Sequence, residues 1–232
     1  MIDGLDGSGK STIIETYKKY LTGQGNALFD LRQYWLENKK NPDLDELRAY
    51  DFIFSCEPTY SPMGRIIREE LINKNKNYPA LAIAHSYSID RLILYVNLII
   101  PMLNKGKCVI SDRGVSTSLS YQVAHGDNLT MNEIASLPGN SLTLKHRPDH
   151  LIIADVSVQT AMERLRQRND KHDDAIFEKS ELLKKIYSVF HSDQYINLFQ
   201  QYGTIVHFLP CEQKLDIMKA EAIAILKKIL QI

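Results

Sequence analysis

The stretch Gly4-Leu5-Asp6-Gly7-Ser8-Gly9-Lys10-Ser11-Thr12 constrains this chain more than any other. It reads G-x-x-x-x-G-K-S, a pattern whose mechanics require a strand before it and a helix after it. Its glycines let backbone N–H groups turn inward around an anion, with the first turn of a helix behind them. Gly4, Gly7, Ser8, Gly9, Lys10, Ser11 and Thr12 are therefore the expected phosphate-binding residues. Lys10 is expected to reach β- and γ-phosphates, and Ser11 to ligate Mg²⁺. A flexible Gly/Ser loop would look similar in isolation, but Ser11 to Leu21 continues as a helix-like run, as the mechanism requires. Only Met1, Ile2 and Asp3 precede the loop, whereas a parallel central strand usually has about five residues. The expectation is a very short first strand, or a chain that starts inside it.

The rest of the chain alternates strand-like and helix-like segments. Strand candidates are Asp51–Cys56, Cys108–Ser111, His150–Asp155 and Thr204–Leu209, and Ala27–Trp35 is β-leaning. Helical patterns cover Gly64–Asn73, Ala80–Lys105, Thr160–Arg168, Phe177–Phe190 and Lys214–Leu230. A polar connection, Gly126–Pro148, holds a short helical piece at Asn132–Ser136. Alternation of this kind predicts an α/β fold of the P-loop class, a parallel five-stranded sheet with helices on both faces. The 232 residues suffice for a single domain. Two segments stand out within it: a charged insertion at 37–48, read as a solvated surface, and a lid at about 164–178.

Charge and cysteines exclude other classes. Lysine plus arginine and aspartate plus glutamate each number 28, so nothing suggests a general nucleic-acid or membrane-surface binder. Cys56, Cys108 and Cys211 lack metal-ligand spacing, which predicts reduced thiols and a cytoplasmic setting. The longest apolar stretch, Leu92–Leu103, is too short to span a bilayer, and no secretory leader is expected.

Candidate site residues fall where strands end, the edge at which open parallel sheets bind ligands. Glu57 follows Cys56 and precedes Pro58, which stops the strand. Asp112 and Arg113 end another strand, Asp112 suited to a Mg²⁺ shell and Arg113 to a phosphate. Tyr87, Arg91 and Tyr95 share a helix face, either as the edge of a core or as a site where an arginine meets a base stacked on an aromatic ring. Ser118, Tyr121 and Gln122 share another face, suited to a sugar and a base. Arg164, Arg168 and Lys171 lie at i, i+4 and i+7, a spacing that fits a charged solvent face equally well.

Together these residues resemble the thymidylate kinase family over nearly the whole chain. The markers are the loop at 4–12, Glu57-Pro58-Thr59, Asp90-Arg91, Asp112-Arg113 with Ser118 through Tyr121-Gln122, the Pro148-Asp149 strand entry and the segment from Arg164 to Glu178. The resemblance implies phosphoryl transfer from ATP to dTMP with Mg²⁺. It implies that Tyr87 stacks on thymine, that Arg91 hydrogen-bonds its edge and that Arg113 holds the acceptor phosphate. Tyr121 would crowd the sugar 2′ position, Ser118 and Gln122 would contact base or sugar, and Asp6 would meet the 3′-hydroxyl. Because the loop carries Gly7 and Ser8 where some members have an arginine, Arg164 and Arg168 would act from the lid. A homodimer through the 80–105 helix is also implied. The chain departs from the family pattern at Cys56, Gly114, the lid residues 173–176 and the 37–48 insertion. Rival readings are a kinase for another nucleoside monophosphate, a deoxynucleoside kinase using Glu57 as base, and an ATP-binding regulatory protein.

Overall fold

Strand β1, Ile2–Gly4, has three residues and lies inside the sheet, between the strands Cys108–Asp112 and His150–Asp155. A computed structural model describes residues 1–73, 77–125, 129–167 and 180–231. The loop after β1 leads into α1 (Lys10–Gly23), whose N-cap Gly9 has φ 103°, a left-handed conformation that glycine adopts without steric cost. The elements that follow are β2 (Leu28–Asp30), α2 (Leu31–Asn38), β3 (Phe52–Cys56), α3 (Pro62–Ile66) and α4 (Ala80–Asn104). Next come β4 (Cys108–Asp112), α5 (Val115–Thr117), α6 (Met131–Ser136), α7 (Pro138–Lys145) and β5 (His150–Asp155). The chain closes with α8 (Val158–Gln167), α9 (Ser180–Phe190), α10 (Asp193–Gln200), β6 (Ile205–Pro210) and α11 (Leu215–Leu230).

The sheet is parallel, in the order β2-β3-β4-β1-β5-β6. Its six strands are one more than the five expected, because Ala27–Trp35 divides. Leu28–Asp30 pairs with Phe52–Phe54 as an added edge strand. Asp30 then accepts a hydrogen bond from the Gln33 N–H at 3.2 Å and caps α2.

The 37–48 segment is less solvated than its charge suggests. Leu47 is fully buried in an apolar cluster with Leu31, Trp35, Ile53 and Leu98, and the charged side chains point outward. Phe52 and Phe54 join the larger cluster on which α1, β5 and α11 close, while Ile53 and Cys56 belong to the smaller one. The connection before β5 holds two helices where one was expected. The Thr130–Glu133 capping box starts α6, and Pro138 in the first turn starts α7.

Helix α4 is long and apolar enough, by length and composition, to cross a membrane, although half of its most apolar window is buried inside the protein. It exceeds the Leu92–Leu103 stretch read from sequence because the helix begins at Ala80, as the Ala80–Lys105 pattern predicts, and it passes through Pro101. A widened π turn at Tyr95–Ile99 lies just before this residue, which has no N–H for the carbonyl of Asn97.

Candidate functional site

The phosphate loop is closed on itself by Lys10. Its Nζ donates to the carbonyls of Gly4 at 3.0 Å and Leu5 at 2.7 Å, with Asp6 Oδ1 at 3.8 Å. Burial, and then repulsion from Arg113, lowers the ammonium to about 8 against the pull of Asp6. Arg113 follows β4 in a left-handed conformation, φ 69°, uncommon for a residue with a Cβ. Its backbone N–H donates to the Ile2 carbonyl at 2.8 Å, which fixes it beside β1. Its guanidinium pairs with Asp6, stands 3.6 Å from Asp3 and lies 5.3 Å from the centre of the Tyr121 ring. The Tyr121 hydroxyl accepts from the Asp6 N–H at 3.1 Å. Asp6, Arg113 and Tyr121 thus form one cluster joining the phosphate loop to the end of β4.

Asp3, fully buried on β1, holds the start of α5. It accepts from the hydroxyls of Ser116 and of Thr117, the latter at 2.6 Å. Spacing gave no signal for this role, because an acid ahead of the first glycine falls outside the motif.

The loop after β3 is held by three side chains. Asp90 accepts from both the N–H and the hydroxyl of Thr59 at 2.7 Å. Arg68 Nε donates to the carbonyls of Pro58 and Thr59, each at 3.2 Å. Arg91 Nε donates to Glu57 Oε2 at 2.7 Å, and its Nη atoms donate to Asn140 Oδ1 and, at 3.0 Å, to the Gly114 carbonyl. Burial pushes the Glu57 carboxyl up to about 7, opposed by Arg91.

One cavity brings together Asp6, Gly7, Gly9, Lys10, Ser11, Glu57, Tyr87, Asp112, Arg113, Tyr121 and Gln122. Burial raises the Tyr87 phenol to about 12 and keeps it neutral. Glu57 Oε1, Asp112 Oδ1 and Gln122 Oε1 are buried without a hydrogen-bond partner among the described residues. Such orphaned acceptors are rare and call for a partner the protein does not supply.

Gly4, Ser8, Thr12, Ser118, Arg91 and Arg164 do not line this cavity. Ser8 and Ser118 are buried, and their hydroxyls have no hydrogen-bond partner among the described residues. Arg91, expected at a base edge, is fully buried and engaged by Glu57, Asn140 and Gly114. Arg164 Nη2 donates to the Cys211 carbonyl at 2.7 Å, and its Nη1 lies 3.4 Å from the Ser8 carbonyl, so α8 is tied to the phosphate loop. Arg168 and the remainder of the expected lid lie outside the described residues.

The cavity also includes Arg32, Cys56, Tyr60, Arg68 and Leu165, which the sequence reading left out of the site. Asp30, a capping residue two positions earlier, signals the helix that carries Arg32 but not its reach to the cavity. Arg68 stood close behind the loop in sequence, but its place over the Tyr60 ring is a tertiary fact.

The model of the thymidylate kinase family matches residues 44–219. A probable thymidylate kinase of Thermococcus kodakarensis is 30% identical over 217 residues, 88% of this chain and 91% of that protein. A probable thymidylate kinase of Pyrococcus horikoshii is 32% identical over 174 residues, 72% of this chain and 69% of that protein. A thymidylate kinase of Kosmotoga olearia is 28% identical over 186 residues, 79% of this chain and 76% of that protein.

Proposed function

Because the chain belongs to the thymidylate kinase family, we propose that its cavity transfers the γ-phosphoryl group of ATP to dTMP, giving dTDP and ADP. The observation that carries this reading is the convergence of Lys10, Asp6, Arg113, Tyr121 and Tyr87 on one cavity. It combines a phosphate cradle, a second cation at a strand end and an aromatic platform.

An oxygen of the acceptor phosphate attacks the γ-phosphorus, the bond to the β–γ bridging oxygen breaks, and ADP leaves with that electron pair. The attacking oxygen is already anionic, so no side chain has to remove a proton. Lys10 and Arg113 offset charge on the transferring group. Tyr87 stacks on the base, Asp6 meets the 3′-hydroxyl and Tyr121 crowds the 2′ position. Gln122, with Ser118 behind it, contacts base or sugar. Arg91 holds Glu57 in place and acts on the substrate only through the loop it fixes. Arg164, with Arg168, closes the donor side and excludes water. The engagement of Glu57 by Arg91 argues against Glu57 as the free base that a nucleoside kinase would need.

Mg²⁺ fits this site. The Ser11 hydroxyl and the Asp112 carboxylate, whose Oδ1 is buried and unpartnered, face the same cavity. Among the described residues no group of three or more His, Cys, Asp or Glu gathers as a dedicated cage. Mg²⁺ prefers few protein oxygens, completed by phosphate and water. When bound it supplies charge neutralisation across the β- and γ-phosphates.

We read residues 1–232 as one domain, since both apolar clusters close on the same sheet. Ile89, Ile93 and Val96 are exposed at i, i+4 and i+7 of α4, which supports a homodimer through that helix. The free cysteines support a cytoplasmic enzyme.

The test is ADP formation from Mg·ATP across a panel of nucleosides and nucleoside monophosphates that includes thymidine, dTMP and dUMP. Preference for dTMP is expected. Turnover of thymidine in preference to dTMP, or none with any acceptor, overturns the reading.

A further inference from the structure

The cations at the cavity differ in what their donors already hold. Lys10 donates to two loop carbonyls, Arg113 pairs with Asp6, and Arg68 is held by the Pro58 and Thr59 carbonyls. Arg32 also lines the cavity, yet it makes no hydrogen bond or ion pair among the described residues. Its guanidinium carbon rests 5.1 Å from the centre of the Tyr60 ring, over which Arg68 lies at 3.9 Å.

The backbone beneath Arg32 is fixed. Arg32 is the second residue of α2, which Asp30 caps and which Leu31 and Trp35, both fully buried, anchor to the core. Asp30, the nearest acid in sequence, is paired with Lys18 at 2.7 Å. An exposed arginine on a rigid base, resting on an aromatic ring and with its donors free, presents a planar fork suited to a phosphate. The phosphate loop serves the donor nucleotide, while Arg32 stands with Tyr60, Arg68 and Cys56 on the β3 side.

We propose that Arg32, carried by the added strand–helix unit β2–α2, binds the phosphate of the acceptor nucleotide alongside Arg113. The inference rests on the reading of the cavity as a nucleoside monophosphate kinase site. It makes the 28–49 segment a working wall of the site.

The experiment is calorimetric binding of Mg·ATP, and of dTMP, dUMP and other nucleoside monophosphates each beside its nucleoside, to the wild-type chain and to Arg32→Ala, Arg32→Lys and Arg48→Ala variants. Arg48 lies in the same segment, exposed and paired with Asp45 at 2.9 Å, and serves as the control. Arg32→Ala is expected to weaken dTMP binding by about 10- to 100-fold, the range for losing a charged hydrogen-bond partner. Thymidine and Mg·ATP binding stay unchanged, Arg32→Lys is intermediate, and Arg48→Ala matches wild type. A structural defect would weaken thymidine as well. An unchanged ratio of dTMP to thymidine affinity in Arg32→Ala overturns the inference and leaves the proposed function standing. A wild-type chain that favours a different monophosphate, with that preference over its nucleoside lost in Arg32→Ala, upholds the inference and overturns the assigned acceptor. A wild-type chain with no preference for any monophosphate over its nucleoside overturns both.

Discussion

Arg91 Nε meets Glu57 Oε2 at 2.7 Å, in an ion pair whose side chains are only 1% and 3% exposed. The pair ties the middle of α4 to the end of β3. A buried pair is costly to break from one side: in Arg91→Ala the Glu57 carboxyl loses its partner, and the Asn140 and Gly114 oxygens lose their donor. Arg91→Ala is expected to cost about 3–5 kcal/mol of unfolding free energy, measured by urea denaturation. A variant within about 0.5 kcal/mol of wild type, the range for surface substitutions, would contradict this structural role.

The same pair makes stability depend on pH. Burial holds the Glu57 carboxyl at about 7 in the folded protein, above its ordinary value of 4.5. A carboxyl with a raised folded value retains a proton that the unfolded chain has released. Its contribution is complete below about 4.5 and is lost as pH rises through about 7. Denaturation midpoints at pH 5 and pH 7.5 are therefore expected to differ less in Glu57→Gln than in the wild-type protein. Parallel profiles for the two proteins would place the titration elsewhere.

The sequence made the phosphate loop, the strand-end acids and arginines, and the parallel α/β plan legible, because each depends on local spacing. It did not show that Arg91 is occupied, since its partners Glu57, Asn140 and Gly114 are 34, 49 and 23 residues away. Nor did it show that Arg32 reaches the cavity. The β-leaning residues before it and the charged ones after it suggested an edge strand and a solvated surface, whereas burial of Leu31, Trp35 and Leu47 folds them back onto the sheet. The helix through Pro101 was legible as the Ala80–Lys105 pattern, but the widened turn at Tyr95–Ile99 before it was not.

Lys10 is expected to set an upper pH limit on nucleotide binding. Burial and Arg113 bring its ammonium to about 8, so the free protein loses a loop cation as pH rises past that value. ATP affinity is expected to fall between pH 7 and pH 9 and to be insensitive to that range in Lys10→Ala. Turnover of Lys10→Ala is expected to drop by about 10²–10³-fold, the loss typical of one transition-state donor. An undiminished turnover would remove Lys10 from the reacting phosphates.

Arg164 and Arg168 are the proposed lid arginines, of which Arg164 lies among the described residues. Arg164 is held against the Cys211 and Ser8 carbonyls and so reaches the phosphate loop from α8. An arginine acting on a transferred phosphoryl group is worth roughly 10³–10⁵ in rate. A loss of that order is expected in single-turnover measurements for one of Arg164→Ala and Arg168→Ala. If neither change lowers the rate by about tenfold, equivalent to about 1.4 kcal/mol of barrier, the lid assignment fails.

Gly139 reaches the site through packing alone. A Cβ at this position would come 1.9 Å from the Ser88 carbonyl oxygen and 2.9 Å from the Leu92 nitrogen, both backbone atoms of α4. Gly139 also donates its N–H to the Ser88 hydroxyl at 2.9 Å, so α7 rests directly on α4. Gly139→Ala must push the two helices apart, at a cost of about 1–3 kcal/mol for overpacking. The next residue, Asn140, is the Arg91 partner, so the displacement also loosens the Arg91–Glu57 pair. Gly139→Ala and Arg91→Ala are therefore expected to be non-additive. The double variant should be less destabilised than the sum of the singles by more than about 0.5 kcal/mol, the usual limit of independence. Strict additivity in urea denaturation would separate the helix contact from the ion pair and leave α7 with no part in holding Glu57.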